Sequence, residues 1–223
     1  MILALEFSTH QRSAAIFESS SDSNALPLVI VAGEEEVQRG ISPFVLLDRL
    51  FSEAKATPEK ITHIYIGLGP GSYTGMRSAL SIAQGWRLAR PIFIHGLATP
   101  WILASQVQSS GFTGRSHTVI DAQREEIYAA TFAISKTEIQ MLGSIELMKP
   151  SQLDFNQEDR IVGPLAQKWF AGAQSLFPEA RSMLQIAMNR PDLLIHGDII
   201  EPIYLRPTTF VKAPPARVLP TDS

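Results

Sequence analysis

Residues 61–90 read ITHIYIGLGPGSYTGMRSALSIAQGWRLAR, and the rest of the chain is arranged around what this stretch becomes. The apolar run over 61–66 predicts a buried strand. Gly67, Gly69, Pro70 and Gly71 break it, and after Ser72 and Thr74 a long apolar helical pattern starts at Gly75. Strand, tight turn and helix follow one another without spare residues. Two uses of such a turn stay open. Its unpaired N–H groups, backed by the positive end of the helix dipole, could seat an anion. Alternatively, Gly69 and Gly71 only supply positive φ for a sharp turn, and Ser72 or Thr74 caps the helix. No named phosphate loop is present: no Gly-Lys-Ser/Thr follows, and the glycines at 67, 69, 71 and 75 do not spell G-x-G-x-x-G. Ser72 sits in PGSYT rather than G-x-S-x-G, so a nucleophile elbow fails as well.

The helix over 75–90 carries only Arg77, Arg87 and Arg90 as charges, while Met76, Ala79, Leu80, Ile82, Ala83, Trp86, Leu88 and Ala89 spread around most of the cylinder. A surface helix buries one stripe, so this one predicts cover on two sides: sheet on one, and a second helix or a second protein on the other. Upstream, Ser42 as N-cap and Pro43 at the first helical position start another helix, running to about Lys55. Phe44, Leu47, Leu50, Phe51 and Ala54 form its expected core stripe, and Val45 and Leu46 add apolar surface beside it. A deep core or a helix-to-helix partner surface would each account for two successive helices with surplus apolar faces.

Before these helices, residues 2–7 (ILALEF), 12–17 and 26–32 read as a three-strand meander whose first strand ends in Glu6; the acidic run 34–36 reads as a solvated turn or strand end. After them come a strand at 91–95 and a helix over 99–108, so the order predicts a mixed sheet with helices on its faces. Residues 109–116 read as a loop. The pattern then restarts with strands at 117–121, 127–134 and 139–147, a short helix after Pro150, a strand at 160–163, and helices over 165–176 and 178–188. The second half is thus read as a shortened structural repeat, with Glu6 and Asp121 at equivalent strand ends. The expected division is 1–110, 111–200 and a Pro-rich tail over 201–223, of which 203–205 would dock and the rest would be mobile.

The totals bound the possibilities. With 223 residues, 45% apolar and 18% charged, the chain holds one large domain or two halves with a real core. A net charge of −3 carries no basic footprint for tight independent binding to nucleic acid. No cysteine is present, which removes disulfides, thiolate metal sites and a cysteine nucleophile. No apolar run reaches the roughly 18 residues of a membrane span, and the start lacks a signal-peptide pattern, so a cytoplasmic protein is expected.

The opening ILALEFST, the loop and helix GLGPGSYTGMRSALSIAQG, the segment IDAQREEIYAATF and the closing PIYLRP together resemble the TsaD family, and within it the shorter TsaB (YeaZ) paralogues. The resemblance implies two ribonuclease-H-like halves of the actin-like ATPase superfamily, the second shortened. It also implies a role in making N6-threonylcarbamoyladenosine beside the anticodon of tRNAs that read codons starting with A. In that family TsaD performs the transfer from threonylcarbamoyl-adenylate. The shorter paralogue is a non-catalytic subunit that dimerises with TsaD, helped by the ATPase TsaE, and meets tRNA only through the complex. Contact is implied through the helices at 42–55 and 74–90, which makes Phe44, Val45, Leu47, Asp48, Leu50, Phe51, Met76, Arg77, Ala79, Leu80, Ala83 and Trp86 the candidate partner-binding residues. A homodimer through the same faces is expected when the chain is alone. Gly69, Pro70, Gly71, Ser72, Thr74 and Gly75 would be structural or a vestigial anion site, and Glu6 and Asp121 vestigial cleft acids. The chain departs from the family at Glu6-Phe7, where Asp-Thr or Asp-Ser is usual, and in lacking His-Ser before the first helix.

No catalytic residue, metal or cofactor is assigned to this chain; ATP and metal are expected in TsaD and TsaE. TsaD-type metal binding needs histidines one helical turn apart, and no two of His10, His63, His95, His117 and His196 are four apart. The competing reading is a self-sufficient ATP-using transferase or kinase, or a metalloprotease-like enzyme, in which Glu6 and Asp121 flank Mg²⁺ and phosphates. Against it, the region from 165 onward is short for a complete adenosine pocket.

Overall fold

The computed structural model describes residues 1–18, 28–36 (by backbone course), 42–197 and 199–206. Most of the expected tail therefore lies outside the described residues. In chain order the elements are β1 (Ile2–Glu6), β2 (Gln11–Glu18), β3 (Leu28–Glu36), α1 (Pro43–Glu53), β4 (His63–Gly67), α2 (Tyr73–Ala89), β5 (Phe93–Leu97), α3 (Thr99–Ser109), β6 (Gly114–Asp121), β7 (Ile127–Ile134), β8 (Ile139–Met141), β9 (Glu146–Met148), β10 (Arg160–Gly163), β11 (Gln174–Ser175), α4 (Met183–Asn189) and β12 (Ile195–His196).

They build two mixed sheets. The first has the order β12-β5-β4-β1-β2-β3, the second β11-β10-β6-β7-β8 with β9 also paired to β7. In the first, β1, β4 and β5 are parallel and β2 returns antiparallel; in the second, β6, β10 and β11 are parallel and β7 returns antiparallel. The run β5-β4-β1-β2-β3 thus has its counterpart in β11-β10-β6-β7-β8, and Glu6 and Asp121 are the last residues of equivalent strands.

Packing explains the apolar runs. β1 is buried along its whole length because both of its faces are covered, as its unbroken ILALE run requires. Leu3, Leu5, Ile64 and Ile66 meet Leu47 and Leu50 of α1 and Ala79 and Ala83 of α2 on one face. On the other, Ala4, Ala15 and Phe17 join Ile102 and Leu103 of α3, Met183 and Leu184 of α4, and Ile120, Ala130 and Phe132 of the second sheet. Because α3 is shared between the two sheets, it is buried around nearly its whole circumference.

Several expectations change. The stretch 165–176 is not a helix but a 3-10 turn at Ala166–Lys168 followed by β11. Leu165 at φ 59° and Gly172 at φ 82° stand in left-handed conformations that no α-helix passes through. The strand expected over 139–147 is split into β8 and β9 by a turn in which Gly143 has φ 94°. β6 starts at Gly114, inside the expected loop. The expected helix over 178–188 is a 3-10 turn followed by α4. The second half also does not keep its residues up to 200: β12 pairs with β5, and Ile200 enters the first core.

Candidate functional site

The Gly-rich turn is stitched to the ends of β1 and β5. Leu68 N–H donates to Leu97 O (2.8 Å), Thr99 N–H to Gly69 O (2.8 Å) and Ser72 N–H to Ser8 O (2.6 Å). Ser72 caps α2, its hydroxyl accepting from Gly75 N–H at 3.2 Å. Two of the N–H groups around the helix start are therefore spent within the chain. Two glycines are needed for contact rather than conformation. A Cβ at Gly75 would sit 1.8 Å from Phe7 O, and one at Gly67 would sit 1.8 Å from a Glu6 carboxylate oxygen. Gly69 has φ 82° and precedes a cis peptide to Pro70.

Glu6 is fully buried under this turn. Its Oε1 accepts from Ser8 N–H (2.8 Å) and its Oε2 from the Thr99 hydroxyl (3.1 Å), which itself lies 3.0 Å from Ser8 Oγ. Burial pushes its pKa up to about 7, against these hydrogen bonds, which favour the charged form. The cleft between the halves is a separate space of about 330 Å³, lined by Ser8, Thr9, His10, Gly71, Ser72, Ile120, Asp121, Gln123, Pro164 and Leu165. Asp121 reaches it and Glu6 does not, so the expected pair of acids is not brought together across it. Asp121 is engaged already, its Oδ1 by Gln123 N–H (2.8 Å) and its Oδ2 by Lys168 Nζ (3.1 Å). Sequence reasoning missed Thr9, His10, Gln123 and Leu165 as cleft lining; the Gly163-Pro164 step before Leu165 was the available signal of a turn there.

A second space of about 520 Å³ is a groove between the start of α1 and the first turns of α2, lined by Pro43, Phe44, Tyr73, Thr74, Arg77, Ser78, Ser81 and Ile82. Of its lining, Phe44 is 48% exposed and Tyr73 55%; Val45, next to Phe44 on α1, is 54% exposed. The Arg77 guanidinium lies 5.1 Å from the Tyr73 ring centroid and donates to its hydroxyl. Of the candidate partner-binding residues, Leu47, Leu50, Phe51, Met76, Ala79, Leu80 and Ala83 are buried in this chain's own core, and Trp86 is half-buried with its ring 6.0 Å from Phe51. Their apolar surface is taken up by the sheet beneath. Phe44 is correspondingly not a core residue; Leu46 holds that place, 1% exposed. Of those candidates, the pair turns outward Phe44, Val45, Asp48 and Arg77.

Three histidines meet elsewhere, on adjacent strands of the first sheet. His63 Nδ1 lies 3.0 Å from His95 Nε2, and His95 Nδ1 lies 2.9 Å from His196 Nδ1. The His63 and His95 rings are within 13° of parallel with centroids 5.3 Å apart, the spacing of imidazoles joined edge to edge through a hydrogen bond. Nitrogens spent on each other do not converge on a shared centre, so this set does not fit a metal ion. Burial lowers the His95 pKa to about 4, helped by the two neighbouring imidazoles.

The family model of TsaD, tRNA N6-adenosine threonylcarbamoyltransferase, matches residues 42–189. The tRNA threonylcarbamoyladenosine biosynthesis protein TsaB of Escherichia coli (strain K12) is 25% identical over 234 residues, spanning 97% of this chain and 99% of that protein. The protein of the same name from Buchnera aphidicola subsp. Schizaphis graminum is 24% identical over 139 residues, spanning 61% of this chain and 62% of its own. YeaZ from Pseudomonas aeruginosa superposes with a TM-score of 0.73 at 21% identity, over 92% of this chain and 99% of that one, a likeness of fold. The family match takes in the helix pair, the Gly-rich turn and the whole second sheet, and the Escherichia coli relative spans 97% of the chain: the chain belongs to the TsaD family, on its TsaB (YeaZ) branch.

Proposed function

We propose that the chain acts as a TsaB-type partner subunit in forming N6-threonylcarbamoyladenosine in tRNA, docking TsaD through the groove side of α1 and α2. The observation that carries this reading is the aromatic rim of that groove, Phe44 and Tyr73, standing exposed with the neighbouring Val45 on the two helices that family resemblance assigns to partner contact. The sealing of Glu6 supports a role without chemistry of its own, since a carboxylate with no exposed surface is not available to Mg²⁺ or phosphate. In this reading TsaD and TsaE supply the metal and ATP chemistry, tRNA is met through the complex, the isolated chain pairs with a second copy, and the work is cytoplasmic. No helix among the described residues is long and apolar enough to cross a membrane.

The test is co-elution with TsaD of the same cell. The burial pattern directs it to Phe44→Asp and Val45→Glu, because a charge at Leu47 or Ala79 would go into the core. These variants are expected to keep the wild-type melting curve and to bind roughly tenfold more weakly or worse. Leu142→Glu, exposed on the second half, is expected to bind as wild type. Undiminished co-elution of the Phe44 and Val45 variants would remove the docking face. ATP turnover by the isolated chain would remove the non-catalytic role.

A further inference from the structure

Two segments about 80 residues apart in sequence, IDAQREEIY and PIYLR, meet in the structure. The first makes the hairpin between β6 and β7, where Gln123, Arg124 and Glu125 stand consecutively at φ 63°, 56° and 61°. Residues with a Cβ disfavour this left-handed region, and three in a row persist only where the surroundings hold them. Inside the turn, Ala122 N–H donates to Glu126 O (3.0 Å) and Glu126 N–H to Gln123 O (3.1 Å). From outside, Arg206 closes over it: its guanidinium donates to Ala122 O (2.9 Å), lies 3.5 Å from Gln123 O and pairs with Glu126 Oε2 at 2.6 Å. One planar fork takes two outward carbonyls and a carboxylate of the same turn, and that turn carries Asp121 and Gln123 in the cleft wall.

The other end of the second segment is fixed to the first half. Ile200 is 3% exposed in the first core, close beside Gly96 of β5. Ile203 N–H donates to Leu68 O at 2.8 Å, at the start of the Gly-rich turn. Between these anchors and Arg206, the Tyr204 ring lies 5.4 Å from that of Tyr73, the first residue of α2 and part of the groove rim. Residues 200–206 thus run from the first core, past the groove, to the hairpin of the second half.

We propose that residues 200–206 are a strap coupling the groove to the cleft wall, with the Tyr73–Tyr204 contact setting how firmly Arg206 holds the left-handed turn. A partner that fixes Tyr73 tightens the turn, and by reciprocity a tightened turn favours the partner. The strap itself belongs to the chain alone. Only the claim that TsaD docking tightens it rests on the function proposed above.

Amide hydrogen exchange at Ala122 and Glu126 of the full chain tests it. Arg206→Ala is expected to speed exchange at both by about tenfold, as loss of hydrogen bonds to a charged group implies. Arg206→Lys, which keeps the charge without the fork, falls between. Tyr73→Ala is expected to speed the same two amides severalfold, and the double variant to exchange no faster than Arg206→Ala alone. The strap is overturned if Tyr73→Ala leaves these amides at the wild-type rate, if the two effects multiply, or if β1 amides speed up equally, which would mean general loosening. Added TsaD should slow both amides in the wild type but not in Arg206→Ala. Bound TsaD without that slowing overturns the coupling to docking. Absence of co-elution overturns the docking reading instead, and the strap then stands or falls on the Tyr73 and Arg206 exchange rates.

Discussion

Burial shifts Glu6 and His95 with opposite consequences. Glu6 ionises near 4.5 in the unfolded chain and at about 7 when folded. Between these values the folded chain keeps a proton that the unfolded chain releases, so stability falls as pH rises through the window, by about 3 kcal/mol in all at 1.36 kcal/mol per unit. His95 ionises near 6.5 unfolded and at about 4 folded, so its contribution is present above 6.5 and is lost as pH falls toward 4. Over pH 4.5–6.5 the two slopes oppose. Urea midpoints measured across that range should be nearly flat for the wild type, rise with pH in Glu6→Gln and fall with pH in His95→Asn. Parallel curves for the three proteins would show that neither group titrates in its native surroundings. The three-histidine chain adds a distinction of its own. The two contacts and the two outer nitrogens of the chain hold four protons, one more than three neutral imidazoles carry, so one extra proton fits with both hydrogen bonds intact and a second leaves two N–H groups facing each other at one contact.

Helix α2 separates two uses of glycine within ten residues. Gly75→Ala would place a methyl group 1.8 Å from Phe7 O and should cost about 2 kcal/mol or more, because a backbone carbonyl cannot step aside as a side chain can. Gly85→Ala meets nothing within 4 Å and should add about 1 kcal/mol from helix propensity alone. Thermal melts of the two variants should move in opposite directions; movement in the same direction would refute the packing assigned to Gly75. What could be read in advance follows the same line between local and distant causes. The cap at Ser42, the proline after it, the break at 67–71 and the unbroken run of β1 are local signals, and these elements formed as their residues dictate. Which face of α1 turns inward is not local. Phe44, Val45, Leu46 and Leu47 are all apolar, and only the position of the sheet beneath selects Leu46 and Leu47. The sealing of Glu6 was equally invisible, because it depends on Thr99, at the start of α3, and Gly67, at the end of β4, arriving from separate elements.

The molecule is held together by interleaving rather than by two finished halves laid side by side. α3 fills the space between the sheets, and β12 crosses back to complete the first. A chain ended after Leu194 would lose β12, the buried Ile200 and the hold of Ile203 on Leu68, and should melt roughly 5–10 °C lower. The wild type should unfold in one transition by circular dichroism and by tryptophan fluorescence alike. An unchanged melting temperature in the shortened chain, or separate transitions in the full one, would contradict the interleaving. The late return of β12 also matters while the polypeptide is being made. About 100 residues separate β5 from the strand that covers its edge, and at translation speeds of roughly 5–20 residues per second the nascent chain carries that bare edge for on the order of 5–20 s. During this interval an unpaired row of N–H and C=O groups is open to the wrong neighbour, so slow codons or chaperone shortage should cause more aggregation in this protein than its finished stability would indicate.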